Sequence, residues 1–190
     1  MFPSIFAKVG AKNPPVDMPK VLVLLFFVTL GLGACHKEAD YPDTPEIRFI
    51  SFTRLTNIHG KDSLGLLRFS FTDGNGDIGL GSADTLAPFN KGSEYYFNFF
   101  ITYYEKQSGT FVKVTLPPPY PGADTLSSNS RIPDLRGKTN MRAVEGEIEM
   151  KLFTVNPFSA YDTICYEVSI CDRALNRSNT IKTPEIALNK

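Results

Sequence analysis

The chain has no tryptophan, two histidines and three cysteines, and its 20 Lys and Arg balance its 20 Asp and Glu to a formal net charge of zero. Each scarcity excludes something. Without clustered Lys and Arg there is no electrostatic footprint for nucleic acid, whose binding rests on displacing counterions from phosphates. His36 falls in a polar tether and His59 in the turn Ile58-His59-Gly60, so the two imidazoles cannot build a zinc site or a Ser-His-Asp set. No segment fits a Walker loop, and Gly76, Gly79 and Gly81 do not fit G-x-G-x-x-G. The apolar run Val21 to Leu32 is too short for a membrane helix, which needs roughly 20 residues. A hydrophobic share of 42%, by contrast, is too high for a disordered chain and fits one globular domain.

What is present begins at the N-terminus. Lys20 precedes Val21 to Leu32 (VLVLLFFVTLGL), and Gly33, Ala34 and Cys35 follow. A positive region, a short apolar region and small residues define a signal peptide over residues 1–34. The tetrad Leu32-Gly33-Ala34-Cys35 resembles the lipobox of bacterial lipoproteins. That resemblance implies cleavage before Cys35, acylation of the cysteine and a membrane contact made by lipid. An ordinary secretory signal that ends near a cysteine is the alternative. Met18-Pro19-Lys20 would open a compact lipoprotein signal by itself, so Met18 is the candidate true start.

Residues 1–34 hold Lys8, Lys12, Lys20 and Asp17, and their removal leaves 17 basic and 19 acidic side chains, a net charge of −2. The mature chain then has no polybasic patch for a membrane surface, and acyl chains suffice to anchor it. Residues 35–45 include His36-Lys37-Glu38-Ala39-Asp40, Pro42 and Pro45, and read as a polar, proline-stiffened tether. The Lys-plus-acidic run also resembles the export signal that sends lipoproteins of some Gram-negative bacteria to the outer face of the outer membrane. The expected address is therefore the outer membrane, surface-exposed, with a periplasm-facing position as the alternative.

From Glu46 onward the chain reads as strands separated by turns, near 46–56, 64–72, 95–106, 110–116, 143–153, 163–171 and 179–187. Ile164, Tyr166, Val168 and Ile170 alternate with Cys165, Glu167, Ser169 and Cys171, the period of two of a strand with one face on a core. About seven strands over residues 46–190 predict an all-β antiparallel sandwich. Cys165 and Cys171 would stand roughly 20 Å apart in one strand, beyond the ~7 Å that a disulfide spans. They read as two partly buried thiols.

Two stretches carry a further resemblance. Tyr166 to Asp172 followed by Arg173-Ala174-Leu175-Asn176-Arg177-Ser178-Asn179 resembles the penultimate strand, loop and last strand of immunoglobulin-like or fibronectin type III-like modules in bacterial surface proteins. Leu175 departs from the pattern, since such turns usually carry Gly. Taken with Phe71-Thr72-Asp73-Gly74-Asn75-Gly76-Asp77-Ile78-Gly79-Leu80, the chain resembles surface lipoproteins with a DGDGDIGL-type motif, for which the resemblance implies no known activity.

Three features are candidates for chemistry. Asp73, Asn75 and Asp77 alternate with glycines, so the backbone can curl and aim three oxygens at one point, as calcium loops do. Position six of that pattern is Ile78 rather than Gly, and position twelve is Asp84 rather than Glu. In a sandwich this loop lies at the same end as the loop holding Asp172 and Asn176. The candidate calcium set is therefore Asp73, Asn75, Asp77, Asp84, Asp172 and Asn176. The alternative is that each Asp or Asn caps its own turn and no ion binds.

The second feature is the aromatic run 95–104. Tyr95, Phe97, Phe99, Ile101 and Tyr103 read as its core face, and Tyr96, Phe100 and Tyr104 as a ligand surface for a sugar ring or a protein partner. The alternative is a strand covered by the proline-rich loop from Thr115 to Gly122. In the third, Glu145, Glu147 and Glu149 share one strand face, read as solvated rather than as a glycosidase pair. The expectation is a non-catalytic binding or structural module, not an enzyme, with a protein or glycan partner and no nucleic acid. The alternative is a carbohydrate-binding or accessory component of an envelope hydrolase system.

Overall fold

Alternation organises the body of the protein. In the strand Asp62–Asp73 (β2), Gly65, Leu67, Phe69, Phe71 and Asp73 are all buried, while the residues between them are exposed or half-buried. A strand with one face on a core produces this pattern, because successive side chains leave the pleat on opposite sides. The computed structural model describes residues 40–115, 128–135 and 143–190. The signal peptide, Met18, Cys35, His36 and nearly all of the proline-rich loop lie outside the described residues.

The remaining strands are β1 (Glu46–Thr56), β3 (Phe99–Gln107), β4 (Thr110–Lys113), β5 (Val144–Phe153), β6 (Thr163–Ile170), β7 (Ile181–Lys182) and β8 (Ile186–Ala187). They form two antiparallel sheets, β1-β2-β5 and β4-β3-β6-β7, with β8 also on β6. The protein is an all-β sandwich. Its strand order reproduces the A-B-E and C′-C-F-G pairing of an immunoglobulin-like domain. Among the described residues no helix is long and apolar enough to cross a membrane.

The core lies between Leu67, Phe69 and Phe71 of one sheet and Phe99, Ile164, Tyr166, Val168 and Ile170 of the other. Phe69 stacks on Phe99 with ring centroids 5.9 Å apart, and Tyr166 meets both Phe52 and Tyr103 at 5.6 Å. The Tyr166 hydroxyl donates to the carbonyl of Phe153, 2.8 Å away, tying β6 to the end of β5. Strand β1 joins this core only because it changes phase midway. Ile47 and Phe49 face inward, the register then slips between Phe49 and Ser51, and Phe52 becomes the next inward residue. The slip is a β-bulge at Ile50, which is left 40% exposed.

Two expected strands are interrupted. Residues 94–96 form a short 3-10 helix instead of the start of β3; the Tyr96 carbonyl accepts from Arg131 and the Asn98 amide donates to Ser130, while the Asn98 carbonyl still accepts the amide of Cys171. The expected strand 179–187 is split into β7 and β8 by Thr183-Pro184-Glu185, where Pro184 has no N–H to offer a ladder. Cys165 and Cys171 are free thiols, both buried. Burial pushes both thiols up, that of Cys171 to about 11. Glu145, Glu147, Glu149 and Lys151 all stand on the exposed side of β5, as expected of a solvated face.

Phe69 is fully buried at the centre of this packing. Its truncation to alanine leaves a cavity between two rigid sheets, so Phe69→Ala should cost about 3–5 kcal/mol in urea unfolding. A cost below about 1 kcal/mol would mean that the sheets close over the gap, contrary to this packing.

Candidate functional site

The inward rows of β2 and β6 do not stop at the last apolar residue. In β2 the row Leu67, Phe69, Phe71 continues in phase to Asp73, and in β6 the row Ile164, Tyr166, Val168, Ile170 continues to Asp172. Both carboxylates are therefore held inward at the same end of the two facing sheets, 0% and 2% exposed respectively. Asp77 completes the group from the turn after β2. One carboxylate oxygen from each of Asp73, Asp77 and Asp172 lies within 4.8 Å of the others.

Part of this arrangement is turn capping. The Asp77 amide donates to Asp73 Oδ2 (2.9 Å) and to Asn75 Oδ1 (3.2 Å), curling the Asp73–Asp77 loop on itself. Asp77 Oδ2 accepts the amide of Ala174 at 3.1 Å, which ties this loop to the one after β6. Asp172 accepts both the Asn176 amide (2.7 Å) and Asn176 Nδ2 (2.8 Å). Asn75 and Asn176 thus stand beside the three acids and serve the loop hydrogen bonds. A backbone bridge between Ile78 and Asp172 completes the seam.

Capping does not use every oxygen. Asp73 Oδ1 and Asp77 Oδ1 are buried with no hydrogen-bond partner. Burial, followed by the charges of Asp77 and Asp172, pushes the Asp73 carboxyl up to about 6, against the opposing pull of the Asp77 amide. Burial and then Asp172 raise Asp77 as well, partly offset by the amides of Ala174 and Arg173 and by the Arg173 charge.

Asp84 is not part of this group. Arg173 grips it through both guanidinium nitrogens, each 2.6 Å from a carboxylate oxygen, and Gly81 donates its amide to Oδ2 at 2.7 Å. The expected twelfth position of a calcium loop is thus taken by a bidentate ion pair that holds the 79–84 turn against the β6–β7 loop. Arg131 performs a similar task next door. Its guanidinium donates to the carbonyls of Tyr96, Gly81, Asp84 and Phe89, and lies 4.5 Å over the Tyr96 ring.

Tyr96 is accordingly separated from Phe100 and Tyr104, with which the strand reading had aligned it. The last two do share the outer face of β3, where a groove of about 470 Å³ is lined by Phe100, Thr102, Lys113, Asn129, Ser169 and Arg177. One face of each ring is already covered by a cation. Arg177 lies 4.0 Å over Phe100, and Lys182 lies 5.1 Å over Tyr104, whose hydroxyl donates to Glu167. A sugar ring stacking on those faces would have to displace them.

The sequence reading did not single out Glu105. It ends the inward row Phe99, Ile101, Tyr103 at the opposite end of the sandwich, 1% exposed. Its carboxylate accepts from Asn156 (3.0 Å), Ser159 (2.8 Å), Tyr103 (3.3 Å) and Gln107 (3.4 Å). The usable signal was the phase of β3, which puts position 105 on the core side. This acid fixes the 154–159 loop.

No protein family, curated protein or solved structure was found to match the chain. The class defined by the geometry is a β-sandwich with a carboxylate cluster between two loops at one end.

Leu175 adopts φ +70°, so the turn after Asp172 keeps the left-handed conformation that Gly would supply, but with a leucine in it. For an L-residue this conformation costs roughly 1–2 kcal/mol. Its side chain is partly exposed, so relief of strain should outweigh the lost contact and the added chain entropy. Leu175→Gly should therefore raise stability by up to about 1 kcal/mol in chemical denaturation. A clear loss of stability would show that the leucine side chain holds the loop.

Proposed function

We propose that the chain is a lipid-anchored envelope protein in which acyl chains on Cys35 hold the sandwich at the membrane as a non-catalytic binding or structural module, displayed on the outer membrane. The observation that carries this reading is the way the segment after Cys35 meets the domain. Pro42 accepts the Gly74 amide at 2.8 Å, and the Tyr41 hydroxyl donates to Glu145. A Cβ at Gly74 would overlap the Tyr41 carbonyl oxygen, so the tether lies directly on the Asp73–Gly74 turn.

Tyr41 is six residues from Cys35 in the sequence. Six residues span at most about 20 Å. A chain beginning at Cys35 would therefore hold the sandwich close to the bilayer, with the carboxylate end toward it. The distal end would then present the β1–β2 and β3–β4 turns and the 154–162 loop. Display of loops on a rigid sandwich is the usual arrangement in binding modules. The exposed turn holding His59 and the single-faced row of Glu145, Glu147 and Glu149 suit this role better than catalysis.

Intact-mass analysis of protein extracted from native membranes should give a chain beginning at Cys35 and carrying acyl groups, and Cys35→Ala should abolish both the processing and the membrane retention. Protease added to intact cells should then remove the domain if it is displayed outside. A mature N-terminus elsewhere would overturn the anchor, while protection of an acylated domain would place it on the periplasmic side.

A further inference from the structure

We infer that Asp73, Asp77 and Asp172 form a binding site for a single calcium ion that locks the 73–80 loop to the loop after β6. Two independent observations support this. The first is geometric: the three acids arrive from two different loops, yet one oxygen of each lies within 4.8 Å of the others. Three carboxylates brought to one point suit calcium, which takes most of its ligands from protein oxygens, better than magnesium, which keeps several waters and is usually held by one or two carboxylates.

The second is an unmet demand. Asp73 is fully buried, and its Oδ1 has no hydrogen-bond partner among the described residues, nor has Oδ1 of Asp77. Other well-buried acids among the described residues each have a cation or several donors, although Oδ1 of Asp62 is also without a partner. Glu105 has four side-chain donors, Asp62 pairs with Arg54 at 2.9 Å, and Asp84, only 18% exposed, pairs with Arg173 at 2.6 Å. Among the described residues no Lys, Arg or His forms an ion pair with Asp73, Asp77 or Asp172. Leaving a buried carboxylate oxygen without a proton donor or a cation is costly, and three neighbouring acids also repel one another.

Turn capping alone accounts for Asp73 Oδ2, Asp77 Oδ2 and both oxygens of Asp172, but not for the two remaining atoms. A divalent cation there would take both as ligands and offset two of the three negative charges. With only three carboxylates as charged ligands, the affinity should fall in the range of extracellular calcium modules, roughly 0.1–1 mM. The inference does not depend on the lipid anchor.

The test uses the full chain, purified in detergent, stripped with chelator and titrated with calcium chloride or magnesium chloride. Calorimetry should report one calcium per chain, with magnesium far weaker. The melting temperature should rise by about 5–10 °C at a hundredfold excess over Kd. Asp77→Asn should lose that rise, and in chelator it should melt no lower than the wild-type chain, because removing a charge relieves the repulsion. Asp73→Asn provides the same comparison if the first variant does not fold. No heat and no melting shift up to about 10 mM calcium, well above that affinity range, would overturn the site. So would an Asn variant that keeps the calcium response, or one that melts lower in chelator, as a purely capping Asp would.

Discussion

The constraint on which the rest of the structure depends is the phase of two facing rows, Leu67-Phe69-Phe71 of β2 and Ile164-Tyr166-Val168-Ile170 of β6. Strand alternation commits each row to one side of its sheet, and the burial of these side chains fixes how the sheets meet. Fully burying each large apolar side chain contributes roughly 1.5–3 kcal/mol. No other register retains that contribution, because a slip of one residue would turn a whole row outward. The polar residues that follow in phase are then held where apolar residues would otherwise be. Asp73 and Asp172 are drawn inward by the strands they terminate, as Glu105 is at the other end. The sandwich is closed by acids at both ends, Glu105 answered by four side-chain donors and Asp73 left with an unmet oxygen.

That logic explains what the sequence made legible. The strand positions and the all-β class follow from alternation, which is local, and the five longest strands appear where it puts them, β3 only from Phe99 onward. The meeting of Asp73 and Asp77 with Asp172 was also legible, since sandwich topology brings those loops to one end. What was not legible depended on partners distant in the chain. Tyr95 and Tyr96 continue the aromatic alternation of β3, but Arg131 and Ser130 draw that segment away from β6. Asp84 fits a calcium spacing, but the fork of Arg173 captures it. The phase change at Ile50 is invisible locally, because Ile47, Phe49 and Phe52 show their common face only once β2 is alongside.

Leu175 is a different kind of departure. The turn resembles one that normally carries glycine, and the chain adopts the glycine conformation with a leucine in place. The surrounding bonds, from Asp172 to the amides of Leu175 and Asn176 and from Ser178 to Ile170, over-determine the loop and hold it there. Local propensity gives way where several hydrogen bonds across the loop agree.

The seating of Tyr41 and Pro42 on the Asp73–Gly74 turn also determines how a mechanical pull would enter the domain. Tension on the chain before Tyr41, opposed by a partner held at the far end, would run along the axis of β1. The ten paired positions between β1 and β2 would then resist together in shear. Hydrogen bonds loaded this way fail collectively, whereas bonds pulled from a strand end open one after another. The same clamp would thus make the first strand the part best arranged to withstand being tugged.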